Sequence, residues 1–396
     1  MRRSLSILPL LLAAACSDGG APLAPRAAPS AARTADGPGD YVVVLKDDAN
    51  PRAVAARLGA APRHVFAASL KGFASRLDAG QLASLRRHPS VAYVEPDAPV
   101  HLFTTMLFPV WGIDRIDERT LPLSSTFTYT SDGAGVTVYV LDTGVRKTHR
   151  QFGGRADYIS NGASGDFVGD GHGSADDCHG HGTHVSGTIA GVGYGVAKGA
   201  RIRAGRVVDC LGNGTASMAI AGMDWIIANG TRPAVVNMSL GYGDLQSVRD
   251  MARRLYGAGY VVVAAAGNGD YAGTPQNACL QSPAGAPNAI TVGATTSTDA
   301  ESSFSNYGTC VDILAPGSGI ISAWASSDSA RATSSGPSMA APHVSGAAAQ
   351  YLRLNPTAPP LAVWNDLAIN ATNGVITRHA LSTANGTPNR LLYTSY

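Results

Sequence analysis

Hydrophobic and polar positions along the chain form two regions of different texture. In the first region, β-branched or alternating apolar runs at 41–46, 64–77 and 91–94 are separated by helix-like patterns at 51–58 and 79–87. The run 64–77 is long enough for two strands, so the order is strand, helix, strand, strand, helix, strand. This split β-α-β order predicts a small ferredoxin-like α+β domain.

The second region begins near residue 111 and continues to the C-terminus. Strand-like runs at 136–141, 235–240 and 261–266 alternate with helical patterns at 215–228 and 245–256. In the first of these helices Ile220, Met223 and Ile227 fall on one face, which is expected to be the buried one. This alternation predicts an α/β domain with a mostly parallel sheet flanked by helices. In such sheets, sites form at the carboxyl ends of the strands.

The first residues predict export. Arg2 and Arg3 precede an apolar run at 5–15, which is too short for a membrane span and typical of a signal peptide over residues 1–16. Residues 17–39 are rich in Ala, Pro and Gly and predict a flexible linker. Cys16 follows three alanines, as at the end of a bacterial lipoprotein signal. It is either lipidated or lost with an ordinary signal peptide.

Composition narrows the classes of function. The 396 residues suffice for one large α/β domain and an accessory segment. With 15% charged residues and a formal net charge of +2, the chain lacks the charge excess that a nucleic-acid partner requires. Four cysteines remain after Cys16, and an even number in an exported chain favours disulfides, with three pairings open. A zinc site formed by one of them and nearby histidines is the alternative. The four are Cys178, Cys210, Cys279 and Cys310.

Asp142 ends a strand-like run and precedes Thr143 and Gly144, which places its carboxylate at the expected functional edge of the sheet. Asp-Thr-Gly also opens the active-site turn of pepsin-like aspartic proteases. That chemistry needs two carboxylates that share a proton, and the sequence has no second Asp-Thr-Gly or Asp-Ser-Gly. A structural aspartate at a strand end remains the alternative for this residue taken alone.

Three histidines stand together in the segment His-Gly-His-Gly-Thr-His, at positions 179, 181 and 184. A His-x-His pair is compatible with a metal site. However, Thr183 occupies the position where metallohydrolases place an acidic residue before the last histidine. A general base needs only one histidine, and the residues alone do not decide which.

Ser338 lies in Gly336-Pro337-Ser338-Met339, just before an apolar helical run at 347–352. A serine at a helix start presents its N–H and the positive end of the helix dipole to an anion formed beside its hydroxyl. Pro342 fits only if the helix begins near Ser338, because proline is tolerated in the first turn. A plain helix N-cap is the alternative.

Asn268 follows the strand-like run 261–266 and Gly267. An amide fixed there can donate a hydrogen bond to a developing oxyanion, a contribution of roughly 3 kcal/mol. A turn-forming asparagine before Gly269 is the alternative.

Taken together, these residues follow the chain order Asp, His, Ser of the subtilisin triad. The chain resembles the subtilases of the proteinase K group, particularly the bacterial aqualysin-type members, and residues 40–97 resemble their propeptide, an intramolecular chaperone and inhibitor. The resemblance implies a subtilisin-like fold, with a propeptide at 40–103 and a peptidase domain at 104–396. It rests on the segments WGIDRIDERTLPL, DTGV, HGTHVSGTIAG, NMSLGYG, AAAGN, SSFSNYG, DILAPG and GTPNRLLY.

The resemblance also implies roles for individual residues. Ser338 corresponds to the nucleophile, His181 to the general base and acid, and Asp142 to the carboxylate that orients the imidazole. Asn268 and the Ser338 N–H correspond to the oxyanion hole. The substrate backbone is expected to pair as an extra strand between two segments; these are Gly212, Asn213 and Gly214, and Ser239, Leu240 and Gly241. The primary pocket would be walled by Ala265, Ala266 and Gly267, which predicts apolar or aromatic residues before the cleaved bond.

No cofactor is implied for catalysis, but structural calcium is. The carbonyls of Pro287 and Ala289 and the carboxylate of Asp312 correspond to one family site. Asp114 and Asp117 correspond in part to a second site, whose other ligands are replaced by Glu118, Ser124 and Thr126. Solvated loop acids are the alternative for that second group. The family's disulfides correspond to Cys178 with Cys210 and Cys279 with Cys310.

One residue departs from the family pattern: Pro337 stands where the family has threonine before the nucleophile. The sequence therefore leaves three hypotheses. The first is a secreted, bacterial serine endopeptidase, monomeric when mature, that acts on proteins and peptides, cleaves itself near residues 101–105 and is inhibited by its own propeptide. The second is a catalytically silent subtilase that binds peptides. The third is a zinc hydrolase that uses the histidine cluster.

Overall fold

The computed structural model describes residues 37–97, 104–162, 164–270 and 272–396. The predicted signal peptide, Cys16 and nearly all of the predicted linker therefore lie outside the described residues, as do residues 98–103. The chain divides into two units, Met1–Val100 and His101–Tyr396. Each is described by itself.

The first unit is a four-stranded antiparallel sheet with two helices, in the predicted order. The sheet order is β2-β3-β1-β4, and the run 64–77 indeed forms two strands. Asn50 caps the first helix and Asp78 forms a capping box with Gln81 at the second, so both helices begin where side chains accept the free N–H groups. The elements are β1 (Gly39–Leu45), α1 (Pro51–Arg57), β2 (His64–Phe66), β3 (Gly72–Leu77), α2 (Ala79–Arg86) and β4 (Val91–Pro96).

The second unit begins with two paired antiparallel strands on either side of a short helix, and the chain then enters the first strands of the large sheet. Of the described helices, none combines the length and apolar character needed to cross a membrane. The elements up to the fourth helix of the unit are β5 (Thr104–Leu107), α3 (Trp111–Ile116), β6 (Thr126–Tyr129), β7 (Thr137–Asp142), β8 (Ala156–Tyr158), α4 (His181–Ala190), β9 (Arg201–Arg206), α5 (Ala216–Asn229), β10 (Ala234–Met238) and α6 (Gln246–Gly257).

The remaining elements complete the sheet and add the long central helix. They are β11 (Val261–Ala265), β12 (Ile290–Thr295), β13 (Ile313–Pro316), β14 (Ile320–Ala323), β15 (Arg331–Ser334), α7 (Pro337–Leu354), α8 (Pro360–Asn370), β16 (Thr372–Asn373), α9 (Ala380–Ala384) and β17 (Arg390–Leu391).

Nine strands form one sheet in the order β16-β17-β13-β12-β11-β10-β7-β9-β8. All neighbouring pairs are parallel except β16 with β17. The prediction of an α/β domain with a mostly parallel sheet is therefore confirmed.

Helices cover both faces of this sheet because successive side chains of a strand point to opposite faces. In β7, Val138 and Val140 pack in the core that includes α4 and α7, whereas Tyr139 and Leu141 pack in the core that includes α5 and α6. Both sets are buried, so the strand is apolar at every position, as a strand covered on two sides must be.

The predicted face of α5 packs against the core, although its large side chains are not equally buried. Met223 is buried as expected, but Ile220 and Ile227 are only partly buried. The helix also packs through small residues: Ala219 is fully buried, and a Cβ built on Gly222 would lie 2.9 Å from Leu141 Cδ2. Close approach of helix and sheet selects small residues, which a pattern of large apolar side chains does not reveal.

The strand order brings four carboxyl ends together. Because β9, β7, β10 and β11 are adjacent and parallel, the residues that follow them meet at one edge of the sheet. Asp142 is the last residue of β7. The segments 212–214, 239–241 and 265–268, although separated in the sequence, are thereby brought to the same region.

A buried ion pair joins α3 to the loop after β12. Arg115 has no exposed side-chain surface, and its Nε and Nη2 donate to the two carboxylate oxygens of Asp299 at 2.7 and 2.9 Å. Its Nη1 donates to the Glu118 carbonyl at 2.6 Å. The bidentate geometry satisfies a guanidinium that would otherwise be a buried, unpaired charge.

We expect Arg115→Ala to lower the free energy of unfolding by about 3–5 kcal/mol, because Asp299 is left as a buried charge without its partner. The measurement is urea denaturation of protein that also carries Ser338→Ala, which removes the expected self-cleavage. The control Arg253→Ala removes an exposed ion pair with Asp250 and should change the value by less than about 1 kcal/mol. Equal losses in the two variants would contradict this account.

Candidate active site

At this edge of the sheet Asp142 contacts His181. Asp142 is 1% exposed, and its Oδ1 accepts hydrogen bonds from His181 Nδ1 and the Thr143 N–H, both at 2.7 Å. His181 is the first residue of α4, and a quarter of its side chain is exposed. The carboxylate fixes the Nδ1–H tautomer of the ring, which leaves Nε2 free to accept a proton.

Two opposing effects act on the pKa of His181. Burial lowers the pKa, but the charge of Asp142 and its hydrogen bond raise it, with a smaller contribution from Asp177. The net effect raises the pKa above its ordinary value of 6.5. The site therefore stabilises the imidazolium, the form that a general base adopts after it takes a proton.

Asp177 organises the segment before α4, and sequence reasoning missed it. Its Oδ1 accepts from Thr143 Oγ1 and from the N–H groups of His179 and Gly180 at 2.8–3.0 Å. Its Oδ2 accepts from Thr183 N and Oγ1 at 2.8 and 2.6 Å. One buried carboxylate thus joins the end of β7 to the start of α4. An acidic residue just before a helix was the available signal.

The three histidines have different surroundings. His181 binds Asp142, whereas the ring of His184 is buried and its Nε2 contacts the Ile320 carbonyl at 3.0 Å. Burial lowers the pKa of His184 to about 4, so the ring is neutral. His179 is exposed at the edge of a cavity. In the part of the chain that the structure describes, the three rings do not form a group close enough to bind one metal.

The cysteine-based zinc alternative also lacks ligands. His172, Cys178 and Cys210 lie close together, but the two sulfurs form a disulfide with a Cα separation of 5.1 Å, so neither is a thiolate. A second disulfide joins Cys279 to Cys310. The first disulfide links the segment before α4 to the segment that leads into residue 212.

Ser338 is the second residue of α7, because the helix begins at Pro337. Pro342 has no N–H, so the Ser338 carbonyl four residues earlier has no helical partner. The hydroxyl of Ser239, just after β10, donates to that carbonyl at 2.8 Å, and the Ser338 hydroxyl donates back to the Ser239 carbonyl at 3.1 Å. Asn237 Nδ2 in turn donates to Ser239 Oγ at 3.0 Å. Two reciprocal bonds thus join the start of α7 to the end of β10.

The Ser338 hydroxyl donates to Ser239 rather than to His181 in this structure. Hydrogen bonds between a nucleophile and its base are often long in the absence of substrate and shorten in the substrate complex. A hydroxyl rotor can change its partner by turning about one bond. The observed contact therefore describes the resting position of the hydroxyl.

Pro337 occupies a place that suits proline. It is buried at the first position of α7, where an N–H would have no intrahelical partner. Gly336 before it has φ 150° and ψ 161°, and a Cβ built there would lie 3.0 Å from Asn268 Oδ1 and 3.3 Å from Nδ2. The amide of Asn268 therefore lies beside the chain two residues before Ser338.

Asn306 holds the loop that carries Asn268, a role that sequence reasoning missed. Its Nδ2 donates to the Ala266 carbonyl at 2.9 Å, and its Oδ1 accepts from the N–H groups of Gly269 and Gln276 at 2.9 and 2.7 Å. Asn306 is 2% exposed. A buried asparagine that pairs with backbone on both sides is recognisable only when the contacts are known.

A cavity of about 630 Å³ opens beside the Asp142–His181 pair. All six residues predicted to pair with a substrate backbone line it, whereas Ala265, Ala266 and Gly267 lie outside that described lining. Ala265 and Ala266 are themselves buried, at 4% and 0% exposure. The lining residues are Asp142, Thr143, His179, His181, Val208, Gly212, Asn213, Gly214, Ser239, Leu240, Gly241 and Tyr242.

Two acidic groups away from this cavity are suited to a hard cation. Asp312 shares a small cavity of about 80 Å³ with Pro287 and Ala289. Its carboxylate accepts from the Thr291 N–H at 2.8 Å, and burial raises its pKa to about 6. Oxygen ligands of this kind are those that calcium prefers.

The second group consists of Asp114, Asp117 and Glu118, whose carboxylate oxygens lie within 4.8 Å of one another. Among the described residues, the buried Asp117 Oδ1 has no hydrogen-bond partner, and burial raises the pKa of Asp117 to about 7. Ser124 Oγ donates to Asp114 Oδ1 at 3.4 Å, so two of the departures from the family ligands, Glu118 and Ser124, lie at the group.

Two family models match the chain. Residues 133–392 match the subtilase family of peptidases, and residues 40–103 match the peptidase inhibitor I9 family. The first match covers the sheet and all the residues of the candidate site. The second covers the small antiparallel domain.

Individual relatives agree with these matches. The chain is 44% identical to the extracellular serine proteinase of Thermus sp. (strain Rt41A), over 98% of both chains. It is also 44% identical to alkaline serine exoprotease A of Vibrio alginolyticus, over 83% of this chain and 59% of that protein.

A crystal structure of a cold-adapted subtilisin-like serine proteinase superposes with a TM-score of 0.67 and 45% identity, covering 73% of this chain and 99% of that one. The sheet topology, the matched residues and the identity over the whole length agree. The chain belongs to the subtilase family: it is a serine endopeptidase whose peptidase domain follows an inhibitor I9 domain.

Proposed function

We propose that this endopeptidase hydrolyses protein substrates through an acyl-enzyme on Ser338. The observation that carries the proposal is the 2.7 Å contact between Asp142 Oδ1 and His181 Nδ1 at the wall of a cavity that the predicted substrate-pairing segments also line. Ser239 belongs to one of these segments and is bonded to Ser338. Nucleophile, base and substrate site are therefore connected through a few residues.

In the proposed reaction, His181 Nε2 takes the proton of the Ser338 hydroxyl as its oxygen attacks the peptide carbonyl. Asp142 holds the ring and stabilises its charge. The oxyanion is stabilised by the Ser338 N–H at the start of α7 and by the Asn268 amide. His181 then donates the proton to the leaving amine, and water repeats the sequence to release the acyl group.

Substrate recognition is proposed to use backbone pairing. An extended peptide can add a strand between residues 212–214 and 239–241. These segments follow β9 and β10, the strands on either side of β7, and they line the cavity. The primary pocket would be formed by Ala265, Ala266 and Gly267, which carry no charge. Apolar or aromatic residues before the cleaved bond are therefore the proposed preference, within a broad specificity.

The precursor is proposed to cleave itself between residues 103 and 104, within the range 101–105. The inhibitor match ends at residue 103, and strand β5 of the second unit begins at Thr104, where it pairs with β6. Phe103 is aromatic, as the proposed pocket requires. The domain boundaries that we propose are therefore 40–103 for the propeptide and 104–396 for the peptidase, after a signal peptide over 1–16 and a linker over 17–39.

The protein is proposed to act outside the cell, as the name of the Thermus relative says of that protein. If Cys16 is lipidated, the anchor would stay with the propeptide and the mature enzyme, a monomer, would be released. Recovery of the mature fragment in the membrane fraction after complete processing would contradict this part of the proposal.

We expect Ser338→Ala to abolish both self-cleavage and casein hydrolysis, because the nucleophile of each reaction is lost. N-terminal sequencing of the processed wild-type protein should begin at Thr104. A fluorophosphonate probe should label the wild-type protein and not the variant. A wild-type protein that folds but neither reacts with the probe nor hydrolyses casein would favour the silent subtilase and would assign the loss to Pro337; Pro337→Thr should then restore the reaction.

We expect kcat/KM to rise with pH through a midpoint above 6.5, because neutral His181 is the active base and Asp142 raises its pKa. Asp142→Asn removes the charge that holds this pKa up, so the midpoint should move to lower pH. The same change should lower kcat by roughly 10⁴-fold, because the tautomer is no longer fixed. Asp250→Asn, at an exposed ion pair, serves as the control and should not move the midpoint.

We propose structural calcium at Asp312 with Pro287 and Ala289, and at Asp114 with Asp117, because buried carboxylates with raised pKa values gain from a hard cation. In Ser338→Ala protein at pH 8, EGTA should lower the melting temperature, and calcium at about 100 times its Kd should stabilise by about 2.7 kcal/mol per site. The effect of calcium should weaken as the pH falls through about 6, where protons compete for Asp312.

The matched variants for calcium are Asp312→Asn and Asp244→Asn. The first removes a proposed ligand and should reduce the response to calcium, whereas the second changes an exposed carboxylate that pairs with Arg249 and should keep it. An unchanged calcium response in Asp312→Asn would rule out calcium binding at that site.

A further inference from the structure

His179 lies at the active-site cavity but has no part in the reaction described above. It lines the cavity together with His181 and Gly212, and its side chain is exposed. Its backbone is held at two points: Cys178 before it forms a disulfide with Cys210, and its own N–H donates to Asp177 Oδ1 at 3.0 Å. A side chain on so constrained a segment can be selective for what it contacts.

The hydrogen bonds of the His179 ring show which nitrogen is available. Nδ1 accepts from the His181 N–H at 3.4 Å, so in the neutral ring the proton is on Nε2. In the described part of the chain, Nε2 has no hydrogen-bond partner. This edge of the ring faces Gly212: a Cβ built on that glycine would lie 3.5 Å from Nε2. The cavity therefore contains an unused N–H donor beside the first residue of a substrate-pairing segment.

The substrate residue that meets this donor follows from strand geometry. Successive side chains of an extended peptide point to opposite faces. The residue that supplies the cleaved carbonyl places its side chain toward Ala265–Gly267, outside the lining of the cavity that holds the two histidines. The residue immediately before it, here called the penultimate residue, therefore points toward His181 and His179.

We propose that His179 selects substrates by the penultimate residue and favours one whose side chain accepts a hydrogen bond, such as Asn or Asp. This inference rests on the proposed mode of substrate binding. Gly212, the lining residue that Nε2 faces, has no side chain and so offers no competing donor. A carbonyl or carboxylate oxygen that enters the cavity beside Gly212 would lose water, and His179 Nε2–H replaces that hydrogen bond.

The competing role for His179 is an apolar wall. The ring lies 6.4 Å from the ring of Trp324 and 6.4 Å from that of His181, so it could act as one face of an aromatic group. That role would favour a penultimate Leu over Asn. The two roles differ in the sign of the preference, and a matched pair of substrates separates them.

The test uses two peptides that are identical except for Asn or Leu, side chains of similar shape, at the penultimate position, with Phe before the cleaved bond. The measured quantity is the ratio of kcat/KM for the Asn peptide to that for the Leu peptide, with KM and kcat recorded separately. In His179→Phe, which keeps a flat ring and removes the donor, the ratio should fall roughly three- to tenfold, the range for one neutral hydrogen bond.

A second pair of variants guards against a general effect of replacing the ring. His179→Gln keeps a side-chain N–H donor and His179→Met, of similar length, has none. The ratio in the Gln variant should therefore exceed that in the Met variant by about the same factor. His172→Phe replaces an exposed histidine outside the cavity lining, whose Nε2 contacts the Asp176 carbonyl, and should leave the ratio as it is in the wild type.

The outcomes are distinguishable. A ratio that is the same in wild type, His179→Phe and His179→Met, or one that rises in these two variants, would overturn the inference while the endopeptidase activity stands. Failure of the wild-type protein to cleave either peptide, although the same preparation reacts with a fluorophosphonate probe, would overturn the proposed substrate-binding mode. Failure to react with the probe would overturn the proposed function itself.

Discussion

The missing N–H of Pro342 determines how the nucleophile region is attached to the sheet. An α-helix cannot satisfy the carbonyl four residues before a proline, and here that carbonyl belongs to Ser338. Ser239, at the end of β10, supplies the missing hydrogen bond and receives one from the Ser338 hydroxyl. The carbonyl that has no helical partner therefore forms one of the contacts between the start of α7 and the sheet. Because Ser239 also lines the cavity, the same contact relates the serine to the substrate site.

The other half of the site is held by carboxylates. Asp142 contacts the His181 ring, and Asp177 collects the free N–H groups at the start of α4 while it binds Thr143 at the end of β7. These charges are buried, which would be unfavourable without partners. Asp142 accepts from the His181 ring and the Thr143 N–H, and Asp177 accepts from N–H groups that the start of α4 leaves unsatisfied. The result is a histidine whose ring and backbone are both fixed relative to the strand that carries Asp142.

Other buried polar side chains are stabilised in the same way, by hydrogen bonds that replace those lost to water. Arg115 is fully buried against Asp299 with two parallel hydrogen bonds, and Asn306 satisfies backbone on both sides of the loop that carries Asn268. Asp312 and Asp117 are the buried carboxylates whose pKa values are raised to about 6 and about 7. Their protein partners do not offset the loss of water, which is why these two groups are the proposed cation sites.

The α/β class, the small antiparallel domain and the family could all be predicted from the sequence, because apolar periods and short motifs are local properties of the chain. The sequence also located Asp142 and the glycine-rich segments at strand ends, and Ser338 at a helix start. It did not show that Ala219 and Gly222 of α5 are buried against the sheet, because they pack by close approach rather than by size. It missed Asp177 and Asn306, and it could not show that Ser239 holds Ser338. The roles of Asp177, Asn306 and Ser239 became known only from the folded structure. Each role depends on contacts between separate segments of the chain, and the order of the strands decides which segments meet.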